Sequence, residues 1–240
     1  PMAPINGTPF LEIQIKYWIS QGINNFILSV GYKNEIIVNH FGSKFEGAKI
    51  NYTIEDIPLG TGGAILRAIS ENNISNPFLL LNGDTYFDVS LKHLYEFHSE
   101  KDSNFTFSVF KSNNTSRYLG LNVDSNMKVI SSDLIKNVVG IKYVNGGVYL
   151  IDSKIFDNVE FEPNKQISLE SEVIPRLICS NITLYACEFD TKFIDIGIPQ
   201  DYKKFEEDYN LIRSKNYKIN NGAELDGIEI LFETIATIFD

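Results

Sequence analysis

Cysteine is nearly absent. Cys179 and Cys187 are the only two in 240 residues, too few for a disulfide framework. Both lie among apolar neighbours and are expected to be buried thiols. No apolar run approaches eighteen residues, so no membrane-spanning helix is expected, and with no hydrophobic leader in view a cytoplasmic location is expected. Positive charge is also short: 21 Lys and Arg against 31 Asp and Glu leave −10, which argues against the basic footprint of a nucleic-acid surface. An anionic ligand would then depend on a metal ion, local cations or backbone N–H groups rather than on the overall field. Histidine is scarce. His40, His93 and His98 share no spacing, are expected at the surface, and do not form the two-His-plus-Glu helix of a metalloprotease. A Gly-x-Ser-x-Gly nucleophile elbow is missing, as are Gly-x-Gly-x-x-Gly and a phosphate loop ending in Gly-Lys-Ser/Thr.

What is present is an apolar chain, 43% hydrophobic, long enough for a substantial core. It is organised around Phe78-Leu79-Leu80-Leu81-Asn82-Gly83-Asp84. Four apolar residues stopped by a turn describe a strand buried on both faces. In an open α/β sheet, ligands collect beyond the carboxyl ends of the strands, so Asp84 is expected at the mouth of a crevice, where a carboxylate can hold a divalent cation.

The order along the chain is that of an α/β protein. A helix is expected from Thr8-Pro9 to Gly22 with Trp18 on its buried face, then a strand over Phe26–Val30, a helix over Asn34–Phe41 and a strand over Lys49–Ile54. A helix from Ala64 to Glu71, the central strand and a helix over Leu91–Glu100 follow. After Phe105 the links shorten, and strands at 105–110, 120–124, 129–131, 138–143 and 147–151 indicate an antiparallel or mixed region. A helix over 170–178, capped by Ser168, should be split by Pro175. Strands at 182–189 and 193–196 and a helix from Pro199 to about Lys215 complete the main domain, residues 1–215. Residues 216–240 read as a C-terminal tail of unknown role. The chain opens on Pro1 rather than Met, as a fragment would.

Three further features carry possible chemistry. Gly60, Gly62 and Gly63 crowd a strand-to-helix link, where glycines let backbone N–H groups approach a nucleotide or simply make a turn. Asp195 ends a second apolar piece, Phe193-Ile194-Asp195, and could share one Mg²⁺ with Asp84 or cap a turn. Asn145-Gly146-Gly147 precedes a strand and offers an amide to a sugar hydroxyl or makes a turn.

Taken in order, Pro1-Met-Ala-Pro-Ile5, Pro58-Leu-Gly-Thr-Gly-Gly-Ala64, Leu81-Asn-Gly-Asp84, Asn145-Gly-Gly-Val-Tyr149 and Phe193-Ile-Asp-Ile-Gly197 resemble the sugar-1-phosphate nucleotidyltransferases over about residues 1–210. Gly62-Gly63 and the phrase Asp195-Ile-Gly-Ile-Pro-Gln-Asp-Tyr202 resemble the subgroup acting on D-glycero-α-D-manno-heptose 1-phosphate with GTP. The resemblance implies a Rossmann-like, mixed, mostly parallel sheet flanked by helices. It implies nucleotide contacts from Glu55, Leu59, Gly60, Thr61, Gly62, Gly63 and Gly83, and sugar contacts from Tyr118, Gly120, Asn145, Gly146 and Glu170. Asp84 and Asp195 would bind Mg²⁺. The implied partners are small molecules, an NTP and a sugar 1-phosphate, with no nucleic acid or membrane, in a possible homodimer serving lipopolysaccharide or capsule synthesis.

The chain departs from the family in three places. The family's Gly-x-Gly-Thr-Arg signature and following Pro-Lys, which form its first strand and triphosphate loop, are absent, so a missing central strand and an inactive fragment are expected. Arg117-Tyr118 is followed by Leu119 with Gly120 one step later, and a Glu-Lys pair before Asn145 is reduced to Lys136. The alternatives are another sugar (mannose, glucose or N-acetylmuramate), another base, or a non-catalytic sugar-nucleotide binder.

Overall fold

The computed structural model describes residues 1–111, 118–132, 141–158, 165–180, 182–216 and 227–234; Arg117 and Lys136 lie outside them. The chain begins with a hairpin of β1 (Pro4–Ile5) and β2 (Thr8–Pro9). Asn6 and Gly7 turn it with positive φ, as a two-residue hairpin loop requires. Helix α1 (Phe10–Ser20) follows one residue later than expected, because Thr8 and Pro9 are engaged in that hairpin. Then come β3 (Asn25–Val30), α2 (Asn34–Phe41), β4 (Lys44–Phe45), β5 (Ala48–Ile54), α3 (Gly60–Glu71), β6 (Phe78–Asn82), β7 (Thr85–Phe87), α4 (Leu91–Glu100), β8 (Phe105–Phe110), β9 (Gly120–Val123), β10 (Val129–Ser132) and β11 (Ile141–Ile151). A π-helical turn over Leu169–Val173 leads into α5 (Ile174–Ile178), split from it where Pro175 was expected to act. The series closes with β12 (Leu184–Glu188), β13 (Phe193–Asp195), α6 (Pro199–Asn216) and β14 (Ile230–Thr234).

Ten strands form one mixed sheet in the order β10-β9-β11-β6-β14-β3-β5-β4, with β8 on β11 and β12 on β8. Its centre, β6-β14-β3-β5, is parallel. The wing after Phe105 is antiparallel apart from the parallel β12–β8 pair, so parallel pairing is confined more closely than a mostly parallel sheet suggests. Alternation along β6 divides the core. Leu79 and Leu81 join one apolar cluster with Phe10, Trp18 and Phe205, while Phe78 and Leu80 join another with Ile65, Phe107 and Tyr149. A strand buried on both faces at the centre of three layers is what its continuous apolar run requires.

The largest departure from expectation is the tail. The sheet has no gap at its centre, because β14 lies parallel between β6 and β3, pairing Leu231 with Leu80 and with Ile27. Ile230, Leu231 and Phe232 are all at most 1% exposed, and at ~1.5–3 kcal/mol per buried side chain they contribute roughly 6 kcal/mol. Glu229 fixes the entry of this strand: its carboxylate accepts from Asn25 Nδ2 and from the Ser75 N–H (2.8 Å). An apolar run after a polar link looked like an appendage in the sequence because nothing local announces a partner a hundred and more residues away.

Smaller corrections follow. Asn145-Gly146-Gly147 is not a turn before a strand. It lies inside the single long β11, where the register with β8 slips between Asn145 and Tyr149 and Gly147 takes φ +71, a bulge. Helix α3 begins at Gly60 rather than Ala64; glycines are poor helix formers, but here they are enforced by packing described below. His98 is buried, its Nδ1 2.8 Å from Thr106 Oγ1, while His40 and His93 are exposed as expected. Cys187 is buried but Cys179 is exposed.

Candidate active site

The site lies beyond the carboxyl ends of the central strands. Asp84 follows β6 after a single glycine, Gly83, and the next three residues, β7, pair antiparallel with β13, which sets Asp195 opposite Thr85. The Ile196 N–H donates to Asp84 O (3.1 Å), and the Gly197 N–H donates to Asp195 Oδ1 (2.8 Å). Two carboxylates far apart in sequence are thus brought together. Burial holds the Asp84 carboxyl above the usual carboxylate range and the charge of Asp195 adds to this, while the Pro1 amino group acts the other way. Glu170 is raised as well, first by burial; the hydrogen bond from Asn145 opposes this and the charge of Asp84 adds to it. Asp84 therefore faces negative charge from both neighbours.

Such an arrangement favours an added cation. A buried carboxylate whose proton affinity is raised by a second carboxylate beside it fits Mg²⁺, which takes one or two protein carboxylates and keeps waters or phosphate oxygens in its other positions. Among the described residues no group of three His, Cys, Asp or Glu forms a metal cage, so the protein would supply only part of any coordination shell.

The polar wall next to the carboxylates is built by β11 and its neighbours. Buried Asn145 donates through Nδ2 to the Tyr149 hydroxyl (2.7 Å) and to Glu170 Oε1 (3.5 Å), and its Oδ1 accepts from the Gly147 N–H (3.2 Å). Gly120 pairs with Val144, one residue from Asn145, and the Asn145 N–H donates to Leu119 O (3.0 Å). Tyr118 packs edge-on against Phe193 of β13, ring centres 5.4 Å apart. Gly146 is required by close approach, since a Cβ there would stand 2.3 Å from the Phe87 ring. Of the five residues expected to contact a sugar, Glu170 feels the charge of Asp84 and is bonded to Asn145, Gly146 abuts Phe87 of β7, and Gly120 and Tyr118 pack against β11 and β13.

The glycine-rich segment packs against the chain that leads into Glu170. Glu55 braces it rather than standing open: Oε2 accepts from the Leu59 N–H (3.0 Å) and Oε1 from Ser29 Oγ (3.1 Å). The N–H groups of Gly62 and Gly63 donate to Ile167 O at 2.8 and 3.3 Å. These two N–H groups, which the glycine pattern offered to a nucleotide or to a turn, are committed within the protein. Gly83 is buried between Asn82 and Asp84.

Sequence reasoning passed over Asn82 and Thr85. A Cβ at Gly147 would stand 2.7 Å from Asn82 Nδ2 and 2.8 Å from Thr85 Oγ1, and Thr85 Oγ1 is buried without a hydrogen-bond partner among the described residues. The signal was present: both flank the Gly83-Asp84 pair in the motif strand.

A glycine-braced loop, a carboxylate pair and a polar pocket converge on the crevice of an α/β sheet, the layout of an enzyme acting on a phosphorylated small molecule. The chain belongs to the nucleotidyl transferase family, whose family model matches residues 1–211. It is 39% identical over 206 residues to the D-glycero-alpha-D-manno-heptose 1-phosphate guanylyltransferase of Campylobacter jejuni, covering 85% of this chain and 88% of that protein. The protein of the same description from Aneurinibacillus thermoaerophilus is 36% identical over 208 residues, covering 87% and 88%. Among solved structures, HddC from Yersinia pseudotuberculosis superposes with a TM-score of 0.74 at 33% identity, over 87% of this chain and 89% of that one. A second HddC structure, complexed with GMP-PN, gives a TM-score of 0.73 at 32% identity.

Proposed function

We propose that this chain transfers a guanylyl group from GTP to D-glycero-α-D-manno-heptose 1-phosphate, giving the GDP-sugar and pyrophosphate. The observation that carries the reading is the meeting of Asp84 and Asp195 at one crevice beside the Asn145–Glu170 pocket, with the Leu59–Gly63 loop bonded to the turn that carries Glu170. The names of the two bacterial relatives and of the GMP-PN complex support the choice of sugar and base.

In this reading a phosphate oxygen of the sugar phosphate attacks the α-phosphorus of GTP in line, and the bond to the bridging oxygen breaks as pyrophosphate departs. The attacking phosphate is already an anion, so no protein nucleophile is needed; positioning and charge neutralisation carry the rate. Asp84 and Asp195 would hold Mg²⁺, which when bound offsets the negative charge of the phosphates. Loop residues Leu59 to Gly63, kept in shape by Glu55, hold the base and ribose. Asn145 and Glu170 accept and donate hydrogen bonds at sugar hydroxyls, and Tyr149 fixes the Asn145 amide. In this reading the enzyme would work in the cytoplasm, where substrates of this kind are made, and its product would serve surface polysaccharide.

Calorimetry with GTP, UTP, CTP and dTTP, with Mg²⁺ and with chelator, tests the reading together with pyrophosphate release from heptose, mannose and glucose 1-phosphates. GTP should bind roughly tenfold or more tightly than the other nucleotides, with Mg²⁺ required, and heptose 1-phosphate should be preferred. Equal binding of all four nucleotides, or binding indifferent to chelator in both the native chain and Asp84→Asn, would defeat it.

A further inference from the structure

The glycine-rich loop and the turn that carries Glu170 are a hundred residues apart in sequence and are joined by a short ladder of hydrogen bonds. The Ile167 N–H donates to Leu59 O (2.7 Å), and Ile167 O accepts from the N–H groups of Gly62 and Gly63. The Leu169 N–H donates to Thr61 Oγ1 (2.6 Å). Nothing larger than hydrogen fits between the two segments at Gly60, where a Cβ would stand 2.5 Å from Ile167 O, or at Gly62, where it would stand 2.9 Å from Val173 Cγ2.

Beyond the ladder the chain enters the π-helical turn at once. Ser168 Oγ accepts from the Ser171 N–H and the Ser168 N–H donates to Glu172 Oε1, both at 3.1 Å. Glu170 is the second residue of that turn, and single π-helical turns recur at functional sites. Among the described residues the rungs between Leu59–Gly63 and Ile167–Leu169 are backbone to backbone except one, to which Thr61 contributes its side chain.

We propose that Thr61 is a positioning residue that couples nucleotide occupancy of the loop to the placement of the Glu170 carboxylate against the sugar. The inference rests on the assignment of the two subsites given above. A nucleotide seated on Leu59–Gly63 restrains the loop; the Thr61 hydroxyl restrains Leu169; Glu170 is then held next to Asn145. The present Asn145–Glu170 bond, 3.5 Å long, leaves the carboxylate room to close on a hydroxyl. Coupling of this kind is reciprocal, so each substrate tightens the other by the same factor.

Titration calorimetry of the full chain with the sugar 1-phosphate, alone and with a saturating non-hydrolysable GTP analogue, measures that factor. In the native chain it should be about tenfold. Thr61→Val keeps the shape and removes the acceptor: the factor, read as the ratio of sugar 1-phosphate affinities with and without an analogue held at saturation for that variant, should fall to about one to two. Thr61→Ser, which keeps the hydroxyl, should retain the coupling. Thermal unfolding checks each variant, and Thr61→Ala replaces the valine variant if that one does not fold. A factor of one in the native chain, or coupling that survives in both acceptor-less variants, overturns the proposal while leaving the proposed function intact. If the native chain binds neither ligand, both fall.

Discussion

At the scale of single residues, the site is bought with electrostatic strain. Asp84 holds its proton more tightly in the fold than in the unfolded chain, so the native state binds more protons through that window and stability falls as pH rises across it. Asp84→Asn should therefore raise the Tm at neutral pH in chelator, with the gain vanishing at about pH 3, where the carboxylate is protonated in either state. The same substitution should abolish Mg²⁺-dependent nucleotide binding. A Tm that drops at pH 7 would show that Asp84 is a structural partner instead.

His98 works in the opposite direction. Burial pushes its pKa down to about 4, against the charges of Asp152 and Asp102, and Thr106 holds its Nδ1. An imidazole kept neutral in the fold takes a proton only on unfolding, so its stabilising contribution is complete above pH 6.5 and is lost as pH falls toward 4. The full change is about 3 kcal/mol. Thermal scans between pH 7 and 4.5 should show the native Tm falling more steeply than that of His98→Gln.

At the scale of elements, glycines divide by what surrounds them. Gly60 takes φ +71 with Ile167 O in the way, and Gly146 faces the Phe87 ring, whereas Gly7 takes φ +84 with nothing within 4 Å. Gly7→Ala should cost about 1 kcal/mol for backbone strain alone. Gly60→Ala and Gly146→Ala should cost about 3 kcal/mol or more, because backbone or a packed ring must also move. Denaturant midpoints of the three variants test that ranking. The same contrast explains what could be read without coordinates. Helices α2 and α4, the strand β6 and the break at Pro175 follow from local period, caps and proline, and were legible. The motif strands also placed Asp84 and Asp195 correctly at strand ends. The start of α3 at Gly60 and the passage of Asn145–Gly147 through a strand were not legible, since both depend on what lies against the glycines. Nor were buried His98 and exposed Cys179, whose surroundings are set by distant chain.

At the scale of the molecule, β14 is the member that joins the two halves. It is the only strand between β3 and β6, and Phe232, fully buried, stacks on Phe26 at 6.2 Å between ring centres. Phe232→Ala should destabilise by about 3–5 kcal/mol. A chain ending at Asn216 should lose cooperative thermal unfolding and expose apolar surface to dye, whereas cooperative melting of that shortened chain would show that the sheet closes without its middle strand.

The position of β14 also dictates an order of events during translation. Its two neighbours leave the ribosome some two hundred and one hundred and fifty residues earlier, so each waits with a raw edge while the remainder is synthesised. The nascent sheet thus spends its youth in two parts, linked beside the gap by contacts such as those of Tyr17 and Gln21 with Val89, and the interval before residue 230 emerges is when a chaperone would matter most.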